Sequence, residues 1–103
     1  MLAANAYVIR LARATDDVDL ERLAELDSAR PLAHPILIGE IGGRPAAALS
    51  LHDKRTVADP FEPTTLLLTH LRVRAAAMEA YARTPNLADR VRAALRAPQP
   101  AAA

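Results

Sequence analysis

Three histidines, His34, His52 and His70, are the first residues to weigh for chemistry. None has a second ligand at helical metal spacing, so a metal site would require all three to converge from distant parts of the chain. Otherwise they are a loop, a strand-end and a helix-surface histidine. The dipeptide His52-Asp53 offers an acid–base pair if a pocket opens beside it. Followed by Lys54-Arg55, it also reads as a charged turn. Ser28, Ser50 and the threonines have no adjacent base in sequence, so a nucleophile is unsupported. The least generic segment is Asp59-Pro60-Phe61. Here Phe61 can serve as a binding anchor and Asp59 as a polar contact. The plainer alternative has Asp59 accepting a turn hydrogen bond and Phe61, the only phenylalanine, plugging the base of the next helix. Thr64 and Thr65 stand where that helix opens, and N–H groups there can meet a phosphate.

The elements that position these residues follow from periodicity. Tyr7 to Arg13 alternates as a strand, with Tyr7, Ile9 and Leu11 on one face and Arg10 on the other. Ala14-Thr15-Asp16-Asp17 opens a helix, Thr15 or Asp16 accepting bonds from first-turn N–H groups. Leu20, Leu23 and Ala24 make its apolar face, and Pro31 and Pro35 end it. Ile36 to Ile41 is nearly continuous in apolar residues, as in a strand covered on both faces. Gly42-Gly43 supplies a two-residue turn into a returning strand, Arg44 to Leu51, with Pro45 opposite Glu40. Thr56-Val57-Ala58 is a short fourth strand. A long helix then runs from Pro63 or Thr64 to about Arg83, with Leu67, Leu71, Ala75 and Met78 on one face, and a short helix follows through Leu87, Val91 and Leu95.

The expected fold is α+β: a small antiparallel sheet packed with a first helix and a long C-terminal helix. Residues 1–6 are an extension, 7–96 one domain, and 97–103 a disordered proline- and alanine-rich tail.

Composition narrows the function. The chain has 103 residues, net charge +1 and no cysteine, which removes disulfides and thiolate chemistry and fits a cytoplasmic location. No secretory signal or membrane-spanning run is expected. Residues 1–53 hold five Arg against eight acids, net −3, and residues 54–103 eight Lys or Arg against four acids, net +4. The basic half supports, as a minor reading, a helix that binds an acidic partner. With only three aromatic residues, stacking on nucleic acid has little to work with.

The passage Ile9-Arg10-Leu11-Ala12 through Asp16-Asp17, then Leu20, Leu23 and Leu26-Asp27, resembles the opening of GNAT-family N-acetyltransferases, with their "IR-x-A-x-x-x-D" strand-to-helix passage. The hairpin from Leu37 to Ala48 is similar to that family's second and third strands. Together these cover residues 7–52. Val57 to Thr64 also resembles the "vADPFxPT" segment of short actinobacterial GNAT-like proteins. The resemblance implies acetyl-CoA bound by a glycine-rich loop after the fourth strand. Val57 to Thr65 contains no glycine, while Pro60 and Pro63 lack N–H groups and Asp59 and Glu62 repel a diphosphate. The family's fifth strand is also not found before the chain ends.

The expectation is therefore a non-catalytic GNAT-like module, with no cofactor, acting by protein contact as a homodimer or accessory subunit. Phe61, Leu66, Leu67, Leu68 and Leu71 are its candidate interaction surface, because Leu66-Leu67-Leu68 spans more of a helix than one face buries. The alternative is an acyl-CoA-binding protein or N-acetyltransferase that completes its site from a second chain, using Thr64 and Thr65.

Overall fold

The computed structural model describes residues 7–83 and Leu95. The expected short helix after Thr84, apart from Leu95, and the terminal segments 1–6 and 97–103 lie outside the described residues.

Strand β1 spans Tyr7–Leu11, α1 Asp17–Leu26, β2 Ile36–Ile41, β3 Arg44–Ser50, β4 Thr56–Ala58 and α2 Thr65–Arg83. The strands form one antiparallel sheet in the order β1-β2-β3-β4. The α+β class, the hairpin, the short fourth strand and the two helices all stand as the periodicity predicts.

Alternation along the strands sorts side chains to two faces. Ile36, Ile38, Ala48 and Val57 pack with Leu20, Leu23 and Ala24 of α1. On the opposite face, Leu37, Ala47 and Leu49 pack with Leu67, Leu71 and Ala75 of α2. Helices on both faces explain why β2 is apolar almost throughout. The small side chains of Ala46, Ala47 and Ala48 are all buried, which lets the helices approach β3 closely.

The hairpin follows the predicted register. Gly42 and Gly43 both have positive φ, 60° and 84°, as this type of tight turn requires. Glu40 lies opposite Pro45, and one residue later the register slips between Gly39 and Glu40. This bulge at Ala46 was not expected.

Two elements end earlier than their sequence predicts. The first strand stops at Leu11 rather than Arg13, because a single 3-10 turn, Ala14–Asp16, turns the chain into α1. That helix stops at Leu26, well before Pro31. Ser28 takes a left-handed conformation, φ 52°, and Ala29 N–H reaches back to Ala24 C=O at 2.8 Å. This closure satisfies the last carbonyls without proline.

The opening of α1 also differs. The Asp16 carboxylate points backward, accepting two bonds from the Arg10 guanidinium, at 2.8 and 2.9 Å, and the Arg13 backbone N–H at 2.7 Å. Arg10 donates its Nε to Glu40 at 3.1 Å. One arginine thus ties β1, β2 and the start of α1. The fork holds the nearly buried Asp16 carboxyl well below the ordinary carboxylate range, and Asp16 and Glu40 together raise the affinity of Arg10 for its proton.

Candidate functional site

The passage from β4 into α2 is where the sequence points for chemistry. Asp59 organises it. Its N–H donates to Ala46 C=O at 2.8 Å, its Oδ1 accepts Phe61 N–H at 2.8 Å, and its C=O accepts Glu62 N–H at 3.2 Å. Pro60 and Pro63 have no N–H to offer. Every backbone donor from Asp59 to Pro63 is therefore absent or engaged, Asp59 by β3 and Phe61 and Glu62 within the turn. The expected turn hydrogen bond to Asp59 is present.

The expected plug is not. Phe61 is 83% exposed, thrown outward by the turn that Asp59 closes. Leu67, fully buried, lies against Gly39 of β2. A Cβ on Gly39 would come within 2.7 Å of Leu67 Cδ1 and 2.9 Å of its Cγ.

The candidate interaction residues divide accordingly. Leu67 and Leu71 are fully buried in the sheet-facing core and are corrected from surface to core residues. Leu68 is half-buried against the same cluster. Leu66 remains outside, 56% exposed, and with Phe61 forms the exposed apolar part of the set. The 19-residue α2 starts at Thr65. Thr64 C=O accepts Leu68 N–H at 2.8 Å, and Thr65 C=O accepts the Thr69 hydroxyl at 3.2 Å. Both threonines stand at the helix start, as read, but the turn before them supplies no second set of donors.

A cleft of about 470 Å³ opens between α1, the hairpin and this turn, lined by Asp19, Arg22, Arg44, Asp59, Glu62 and the apolar Ile41, Pro45 and Ala46. Sequence inspection did not find it, because its walls come from three separated segments. Arg22 spans it, donating to Pro45 C=O at 3.1 Å and lying 3.7 Å from Asp59 Oδ2 and 3.9 Å from Asp19 Oδ1. Arg44 reaches Glu62 at 3.5 Å. Each guanidinium already faces a carboxylate, so the cleft carries no concentrated charge of one sign.

The remaining candidates are structural. His34 lies 3.1 Å from Asp17, and His70 packs edge-on against Tyr7, with ring centroids 6.0 Å apart. His52 is exposed in the β3–β4 turn. The three do not converge, and among the described residues no group of three His, Asp or Glu side chains could hold a metal. Asp53 accepts the Arg55 backbone N–H at 3.1 Å, the main reason its carboxyl is lowered, so His52-Asp53 is the charged turn. Ser50 is fully buried, donating to Ala33 C=O at 2.7 Å and accepting His52 N–H, which occupies its hydroxyl.

Among the described residues, no helix is long and apolar enough to cross a membrane. In comparisons with known proteins, no family model, no curated protein and no solved structure matches the chain.

Proposed function

We propose that this chain is a GNAT-like module of the cytoplasm that works through protein contacts, as a homodimer or accessory subunit, rather than by acyl transfer. The order strand, helix, hairpin, short strand, long helix supports the family reading, as does an antiparallel sheet with α1 and α2 on opposite faces. The observation that carries the functional reading is the closed turn at Asp59–Pro63. A cofactor pyrophosphate needs several backbone N–H groups aimed at one point. Here the three that exist are engaged and the other two positions are proline. Asp59 and Glu62 add negative charge at the same place.

What the turn does present is apolar. Phe61 is held out on a hydrogen-bonded frame, so ordering it against a partner costs little further entropy, and Leu66, in the first turn of α2, is also exposed. Aromatic anchors of this kind are frequent energetic centres of protein interfaces.

The test is thermal unfolding of the purified chain with and without millimolar acetyl-CoA, alongside a light-scattering mass. A ligand that binds only the folded state raises the melting temperature. The expected result is an unchanged melting temperature and a mass above the 11.1 kDa of one chain. A saturable upward shift would overturn the reading without a cofactor and favour acyl-CoA binding.

A further inference from the structure

Among the described residues no strand pairs with the outer edge of β1. Ala12 N–H donates to Ile36 C=O at 2.8 Å, which sets the phase of the β1–β2 ladder. In an antiparallel ladder alternate residues bond, so Val8 and Arg10 exchange bonds with Glu40 and Ile38. Tyr7, Ile9 and Leu11 then turn their N–H and C=O groups away from the sheet. The Leu11 carbonyl takes a long contact, 3.4 Å, from Arg10 Nη1.

The side chains around this edge are apolar and partly uncovered. Val8 is 48% and Leu11 51% exposed. Above the edge lies one flank of α2. The contact of His70 with Tyr7 fixes which flank this is. Leu66 and Val73, one turn to either side of His70, share that flank and are 56% and 62% exposed. An open row of backbone groups and an apolar shelf therefore occupy the same side of the molecule.

We propose that this side pairs with a second copy of the chain, β1 against β1, antiparallel about a two-fold axis through Ile9, to make a continuous eight-stranded sheet. The choice of a second copy rests on self-complementarity: pairing β1 with itself sets apolar Tyr7, Ile9 and Leu11 against one another and opposes no uncompensated charge. About Ile9 the outward-bonding residues are symmetric, so Ile9 meets Ile9 and Tyr7 meets Leu11 of the other copy, each pair able to exchange both backbone bonds. The second Leu11 then lies on the α2 face beside Tyr7, beneath the shelf of Leu66, His70 and Val73. On the other face Arg10 lies opposite Val8 of the second copy. Its charge is already met by Asp16 at 2.8 Å and Glu40 at 3.1 Å, so no unbalanced like charges face one another across the axis. Isologous pairing of this kind closes on itself.

This inference rests on the protein-contact reading and specifies its homodimeric form. The test exploits a chain without cysteine. Across the axis the two Ile9 Cα atoms would stand about 5.5 Å apart, within disulfide reach. The expected results are a dimer mass by sedimentation equilibrium, disulfide-linked dimers from Ile9→Cys under mild oxidation, and none from the control Phe61→Cys. Leu11→Lys, at an exposed position, keeps the monomer's circular dichroism and weakens dimerisation by at least about tenfold. A dimer that links through Phe61→Cys but not Ile9→Cys would overturn edge pairing and leave the contact reading standing. A monomer at every concentration would overturn edge pairing and the homodimer together.

Discussion

The guanidinium of Arg10 lies between the carboxylates of Asp16 and Glu40, and the depressed titration of Asp16 makes this cluster a test of acid stability. In an unfolded chain an aspartate titrates near about 3.9. In the fold Asp16 holds its charge to much lower pH. Its contribution is therefore complete above about pH 4 and is lost progressively as the pH falls below that value. Asp16→Asn removes the charge from a nearly buried arginine partner. Because Arg10 is a quarter exposed and keeps Glu40, the change should cost about 1–3 kcal/mol at neutral pH and flatten the acid limb of the stability curve, as measured by urea unfolding across a pH series. An unchanged acid limb would remove Asp16 from the account. The spacing of Arg10 and Asp16 was visible in the sequence as a family-like motif. What it does was not, because both side chains reach back across a turn whose shape no local periodicity specifies.

At the scale of elements, the seat of α2 on the sheet depends on one missing side chain. Leu67 fills the space above Gly39, so Gly39→Ala forces a fully buried leucine to move. The expected cost is about 1–3 kcal/mol. Leu67→Ala alone should cost about 2–5 kcal/mol by leaving a cavity. Combined, they should cost at least about 1 kcal/mol less than the sum, because the smaller side chain admits the new methyl group. Additive values from denaturant unfolding would show that helix and strand do not meet there. The β2–β3 register as far as Glu40 opposite Pro45, both glycine turn positions and the common face of Leu67, Leu71 and Ala75 were legible because hydrophobic period and turn chemistry agree at each, whereas the bulge beyond Pro45 carries no sequence signal. The end of α1 was not. A serine takes the left-handed position where glycine would have announced it, and the two prolines drew attention too far downstream. Phe61 was misplaced for a related reason: hydrophobicity predicts burial on average, and the Asp59 turn overrides it locally.

At the scale of the whole molecule, the sheet has two ends and treats them differently. Helix α2 lies on a face of the sheet, over β2 and β3. The β4 edge is instead met by α1. Asp27, just past the end of α1, accepts the outward N–H of Ala58 at 3.1 Å. Strand β4 is also only three residues long. A short edge strand with a carboxylate on its donor is a known deterrent to pairing. On the proposed pairing, with β1 open and β4 obstructed among the described strands, each copy has a valence of one: once two copies have joined, neither described edge is left to recruit a third. Asp27→Ala should raise that valence. The expected sign is slow growth of thioflavin-positive, high-mass species in the variant under conditions where the parent protein stays at a fixed mass. If the variant stays at that mass too, edge protection at β4 comes from its shortness alone. On the proposed pairing, one carboxylate and the shortness of one strand together separate a protein that stops at a pair from one that polymerises.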